Sequence, residues 1–133
     1  MEYGKLGNTD IEVSKLCVGC MSFGKAGTMH DWTLDEAESE NVIKHALDLG
    51  YNFFDTANGY SAGTSEEYLG KALKKNVARN QAVIASKVYF NEGRLSRQAI
   101  MREIDGHHFL RWRIIIICFT ERMRENCYQF VSK

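Results

Sequence analysis

Apolar residues come in short bursts separated by polar loops, and two spacings alternate along the chain. "EYGKLGNTDIEVSKL" gives two short alternating runs around Gly7-Asn8-Thr9-Asp10, the pattern of a β-hairpin, either a lid or simply an N-terminal hairpin. Leu16 to Met21, "LCVGCM", is a continuous apolar run, as in a parallel-sheet strand buried on both faces. Thr33 and Glu36 form a T-x-x-E capping box ahead of Ala37, Val42, Ile43, Ala46 and Leu47 at helical spacing, and Gly50 supplies the stop. The unit then repeats. "YNFFDTA" is a second strand, Thr64 and Glu67 a second capping box, and Tyr68, Leu69, Ala72 and Leu73 the buried stripe of a second helix. "QAVIASKVYF" is a third strand, with Ser96 capping a helix that runs to about Asp105. "RIIIICF" reads as a fourth strand, and "TERMRENCYQFVSK" offers at best a short helix.

Strands alternating with helices predict βαβ units, right-handed crossovers and a parallel sheet. An open dinucleotide-binding sheet wants G-x-G-x-x-G after its first strand, and "VGCMSFGKAG" does not supply it. The predicted fold is therefore α/β, a partial (β/α)8 TIM-type barrel: an N-terminal hairpin plus three to four βα units. In such a barrel chemistry sits at the C-terminal strand ends. That rule selects Asp55 at the exit of the second strand, Tyr60 in the loop after it, and Lys87 near the end of the third. A phenol has an unperturbed pKa of about 10. A lysine cation beside it favours the phenolate and makes the phenol a readier proton donor, and a carboxylate on the lysine holds that cation in place. The trio suits protonation of a carbonyl oxygen as hydride reaches its carbon.

Composition refines this picture at one place. Overall the chain has 44% hydrophobic and 26% charged residues and zero formal net charge, so nothing electrostatic points to nucleic acid or a membrane surface. No signal-peptide pattern opens the chain and no apolar stretch approaches the ~18 residues of a spanning helix, so the expected location is the cytoplasm. Residues 1–106, however, carry 12 Lys/Arg and 15 Asp/Glu, whereas residues 107–133 carry 5 and 2. The character of the chain changes at Gly106, giving a first unit over residues 1–106 and a divergent tail over 107–133. The C-x-x-C of Cys17 and Cys20 is read as packing rather than redox chemistry, Cys17 lying in an apolar strand. A zinc site from His107, His108, Cys118 and Cys127 has no standard spacing, so no metal is expected. Ser61-Ala62-Gly63-Thr64 could cradle an anion, but a capped helix start explains it.

Three segments carry a family resemblance: "KLGNTDIEVSKLCVGCMSFG", "ALDLGYNFFDTANGYSAGTSEEYLGKAL" and "AVIASKV". Over residues 1 to about 106 the chain resembles the N-terminal part of an aldo-keto reductase. That resemblance implies a barrel using NADPH to reduce aldehydes and ketones. Of the family's Asp, Tyr, Lys and His tetrad, the first three fall on Asp55, Tyr60 and Lys87. By the same resemblance Gly19, Cys20 and Met21, with Asp55, correspond to positions near the nicotinamide, and Trp32, with Tyr60, to the substrate pocket. After "AIMREIDG" the pattern departs: where the family closes a strand with L-Y-x-x-H, the strand end here offers Ile116, Cys118 or Thr120, and His107 and His108 precede the strand. The fourth role is carried onto no residue. A full barrel takes about 250 residues, and its later loops grip the cofactor phosphates, so weak NADPH affinity is expected. A frameshift, deletion or mis-joined gene product would leave such a break. Two readings stand: a reductase of small-molecule carbonyls with Tyr60 as proton donor, or a non-catalytic fragment that pairs with itself or another subunit through the apolar edge of "RIIIICF".

Overall fold

The computed structural model describes residues 1–89, 91–106 and 113–118. His107, His108, Thr120, Cys127 and the expected "TERMRENCYQFVSK" helix lie outside the described residues. β1 (Tyr3–Lys5) and β2 (Glu12–Ser14) pair antiparallel around the expected turn. Ile11 and Val13 bury against Val83, with Leu6 and Phe53 packed alongside. Phe53 and Val83 open their strands, so the hairpin covers the N-terminal end of the parallel sheet. It is not a lid over the strand ends that carry Asp55 and Lys87.

That sheet consists of β3 (Val18–Gly19), β4 (Phe53–Asp55), β5 (Val83–Val88) and β6 (Arg113–Cys118), hydrogen-bonded in the order β3-β4-β5-β6 and all parallel. Between them run α1 (Glu36–Asp48), α2 (Thr64–Asn76) and α3 (Arg97–Gly106). Each strand lies beside its predecessor without the reversal that creates a switch point in a doubly wound sheet. This is how a (β/α)8 barrel begins. Ile43 of α1 and Leu69, Ala72 and Leu73 of α2 pack on Phe54, Ile84 and Val88, which alternate with the residues of the opposite sheet face. Across the outside of the two helices, Lys71 bonds Glu36 and Glu67 and Lys75 bonds Glu40; the Glu36 contact contributes most to pushing the Lys71 pKa upward. None of the described helices is long and apolar enough to cross a membrane.

Three local expectations change. The run Leu16 to Met21 is not buried on both faces: only Val18 and Gly19 join the ladder, while Leu16 is 59% and Met21 41% exposed. Among the described residues β3 pairs with β4 alone, and its chain turns off at Cys20, whose N–H donates to the Asp55 carbonyl at 2.8 Å. Next, the cap of α1 is Asp35 with Glu38, two residues beyond Thr33 and Glu36; Asp35 Oδ1 accepts from Glu38 N, and Glu38 Oε2 from Asp35 N. Leu34 is held extended by a bridge to Phe23, so the helix starts only after it. Asp35→Ala should therefore cost about 1 kcal/mol. Thr33→Val should be neutral or slightly stabilising, because Thr33 Oγ1 is buried without a partner; urea denaturation of the two variants checks both. The third change is at α2, whose N-cap is the left-handed Gly63 with no side-chain cap. Thr64 Oγ1 instead donates to the Ser61 carbonyl and accepts from Lys25 N. Gly50 and Ser96 act as expected: Gly50, at φ +89°, brings Tyr51 N back to the Ala46 carbonyl, and Ser96 Oγ accepts from Ala99 N.

Candidate active site

Register decides which side chains meet. Asp55 pairs with Gly19 on one side and Ala85 on the other. Lys87 lies two residues past Ala85 and so shares its face, further toward the C-terminal end. There Lys87 Nζ donates to Asp55 Oδ1 and, at 2.7 Å, to the Thr56 carbonyl. It stands 5.1 Å from the centroid of the Tyr60 ring, over its face. The structure thus brings together the three residues singled out for chemistry. The Lys87 side chain is 17% and that of Asp55 32% exposed, so the pair is sheltered yet reachable from the mouth.

The loop that delivers Tyr60 continues the β4 ladder beyond the strand. Thr56 N donates to the Ala85 carbonyl at 2.8 Å and Asn58 N to the Lys87 carbonyl at 3.1 Å. Just past Tyr60 the backbone turns left-handed at Ser61 (φ 47°) and Ala62 (φ 53°) before Gly63. For L-residues this costs roughly 1–2 kcal/mol each, so something must hold it. Gly24, at φ +133°, lies against Ser61 so closely that a Cβ there would fall 2.4 Å from Ser61 Cβ. Lys25 N bonds Thr64 Oγ1 at 2.8 Å, and Ser65 Oγ bridges the Cys20 carbonyl and Thr56 Oγ1. The loop after β3 is therefore clamped to the turn that aims Tyr60.

The other residues singled out divide into those that present surface and those that do not. Gly19 has open space where a side chain would stand, and Met21 is exposed. Cys20 is fully buried in the core, its thiol pKa pushed up mainly by that burial. Cys17 is exposed just ahead of β3, not packed in the strand, and its thiol is pushed up to about 11 by partial burial of the sulfur and the charge of Asp55. Burial thus works at both sulfurs against the thiolate that redox chemistry would require. Trp32 is 57% exposed and stacks on His30, ring centroids 4.5 Å apart. On β6, Ile117 stands level with Lys87, while Ile116 and Cys118 take the alternate register positions. Ile116 and Cys118 thus stand one position before and one after the level of Lys87, and Thr120 lies outside the described residues. Among the described residues no group of three or more His, Cys, Asp or Glu could hold a metal ion.

Pattern reading missed Gly24, Ser65 and Glu66. Glu66 is 4% exposed on α2 and accepts from the buried Ser86 Oγ of β5. A charge inside the first helical turn reads as dipole compensation, and only packing reveals it as buried.

The family model described as "Aldo/keto reductase family" matches residues 15–107. A Schizosaccharomyces pombe protein that carries an aryl-alcohol dehydrogenase name is 51% identical over 90 residues, which is 66% of this chain and 26% of that protein. Versiconal hemiacetal acetate reductase of Aspergillus parasiticus is 47% identical over 91 residues, 68% of this chain and 26% of the relative. The chain thus spans about a quarter of the length of these curated relatives. Among solved structures, aldo-keto reductase AKR11C1 of Bacillus halodurans in its holo form superposes with a TM-score of 0.63 at 33% identity, over 79% of this chain and 34% of that one. With the strand order of a barrel, the Asp55, Lys87 and Tyr60 cluster at its strand ends and a family match over residues 15–107, the chain belongs to the aldo-keto reductase family.

Proposed function

We propose that this chain carries the proton-donating half of an NADPH-dependent reductase site for aldehydes and ketones. The observation that carries the reading is Lys87 Nζ, fixed by Asp55 and the Thr56 carbonyl and placed over the Tyr60 ring. Tyr60 donates the proton to the carbonyl oxygen, Lys87 favours the phenolate left behind, and Asp55 keeps the ammonium in place. NADPH, when bound, supplies the hydride that reaches the carbonyl carbon. The chain's own surface fits a flat ring there: Gly19 leaves its side-chain space open beside Asp55, and Met21 is exposed next to it. Cys20 shapes this strip through its backbone bond to Asp55.

The substrate class follows from the loop after β3. Trp32 stacked on His30 offers an exposed planar surface, which suits an aromatic carbonyl compound. The relatives named for aryl-alcohol dehydrogenase and versiconal hemiacetal acetate reductase support that reading. As a partner, a second copy pairing with the β6 edge would extend the sheet and cover that edge, a state that gel filtration at two concentrations detects.

A fluorescence titration of NADPH into the protein, followed by absorbance of NADPH with an aromatic aldehyde, tests the proposal. Micromolar binding and carbonyl-dependent oxidation are expected, and Trp32→Ala should raise KM for the aromatic substrate three- to about tenfold with little change in kcat. Absence of NADPH binding would favour the non-catalytic reading of the chain.

A further inference from the structure

Asn58 stands outside the trio yet bonds both the strand that bears Lys87 and the helix behind it. Its backbone N–H bonds the carbonyl of Lys87 itself. Its side-chain amide donates to Glu103 Oε2 of α3 at 3.1 Å and lies 3.5 Å from Asn91 Oδ1. Asn91 in turn donates to the carbonyls of Glu92 and Arg94 in the loop between β5 and α3. One residue thus ties the loop bearing Tyr60, the strand end bearing Lys87 and the helix behind them. Two residues further on is Tyr60, and beyond it the left-handed turn at Ser61 and Ala62. A strained turn relaxes unless its approach is fixed.

We infer that Asn58 and Glu103 form a latch that sets where Tyr60 stands relative to Lys87. The inference rests on the proton-donor reading of Tyr60. Asn58 is a positioning residue: it acts through the placement of Tyr60 and Lys87 rather than by contact with substrate. Misplacing a reacting group by an ångström costs up to about a hundredfold in rate. The latch governs the proton-transfer step and leaves binding alone.

Hydrogen-bond polarity gives the test. In the native pair Asn58 donates and Glu103 accepts, so Glu103→Gln, which keeps an acceptor oxygen, should stay within about threefold of the native kcat. Asn58→Ala should lower kcat about tenfold or more with KM for the carbonyl and NADPH affinity unchanged. Asn58→Asp sets two carboxylates against each other and should be at least as slow, while Asn58→Asp combined with Glu103→Gln reverses donor and acceptor and should recover most of the loss. Amide hydrogen exchange over residues 57–63 should follow the same order: fast in Asn58→Ala and Asn58→Asp, restored in the reversed pair. The latch is overturned if the reversed pair is no faster in turnover than Asn58→Asp, or if exchange in that segment is the same in all variants. Turnover that survives Tyr60→Phe would sink the proton-donor reading, and the catalytic role of the latch with it. Exchange would still report separately whether the contact orders the turn.

Discussion

Tyr60→Phe is expected to reduce carbonyl-dependent oxidation of NADPH by roughly a hundred- to ten-thousandfold, the range for losing a positioned general acid. The substitution removes only the hydroxyl. The ring remains beneath Lys87, whose Nζ is 5.1 Å from its centroid, and Lys87 keeps its bonds to Asp55 and the Thr56 carbonyl. Stability and NADPH affinity should therefore change little, and the loss should fall on kcat. Stopped-flow measurement with NADPH saturating separates the two. A variant that retains turnover would mean that another group, or water, protonates the carbonyl oxygen.

Gly24→Ala is the substitution with the largest expected cost in stability, about 3 kcal/mol from combined strain and overpacking. An alanine would be forced to φ +133°, and its Cβ would meet Ser61 Cβ at 2.4 Å, Ser61 Oγ at 2.6 Å and Thr64 Oγ1 at 2.8 Å. Ser61 cannot retreat easily, since it is fully buried and its own backbone is left-handed. Relief would come from moving the turn, and Tyr60 moves with it. Turnover should fall further than the lost folded fraction explains. Chemical denaturation alongside kcat measured at low temperature, where the variant remains folded, checks this; unchanged stability would show that the loop after β3 yields without strain.

Much of the fold was legible because alternating apolar bursts and helix stops are local signals. The hairpin around Gly7 to Asp10, the helices stopped by Gly50 and capped by Ser96, and the strands ending near Asp55 and Lys87 all follow from residues within a few positions of one another. The helix caps show where local reading stops. Thr33 with Glu36 and Thr64 with Glu67 satisfy the same pattern as Asp35 with Glu38. Contacts from distant chain decided among them: the Phe23 bridge fixes Leu34, and Gly24 and Lys25 engage Ser61 and Thr64.

The candidate site divides in the same way. Asp55, Tyr60 and Lys87 could be named from the sequence because a parallel sheet must place its strand ends on one side. That Lys87 rests on Asp55 and the Thr56 carbonyl, that Asn58 ties the loop after β4 to α3, and that Ile117 stands level with Lys87 required the register between strands. The sequence by itself determined which chemical groups are available and the order of elements that carries them, since both depend on residue type and short-range periodicity. Only the tertiary structure decided which groups touch, because a one-residue change of register moves a side chain to the other face of the sheet, and no short-range pattern sets that register.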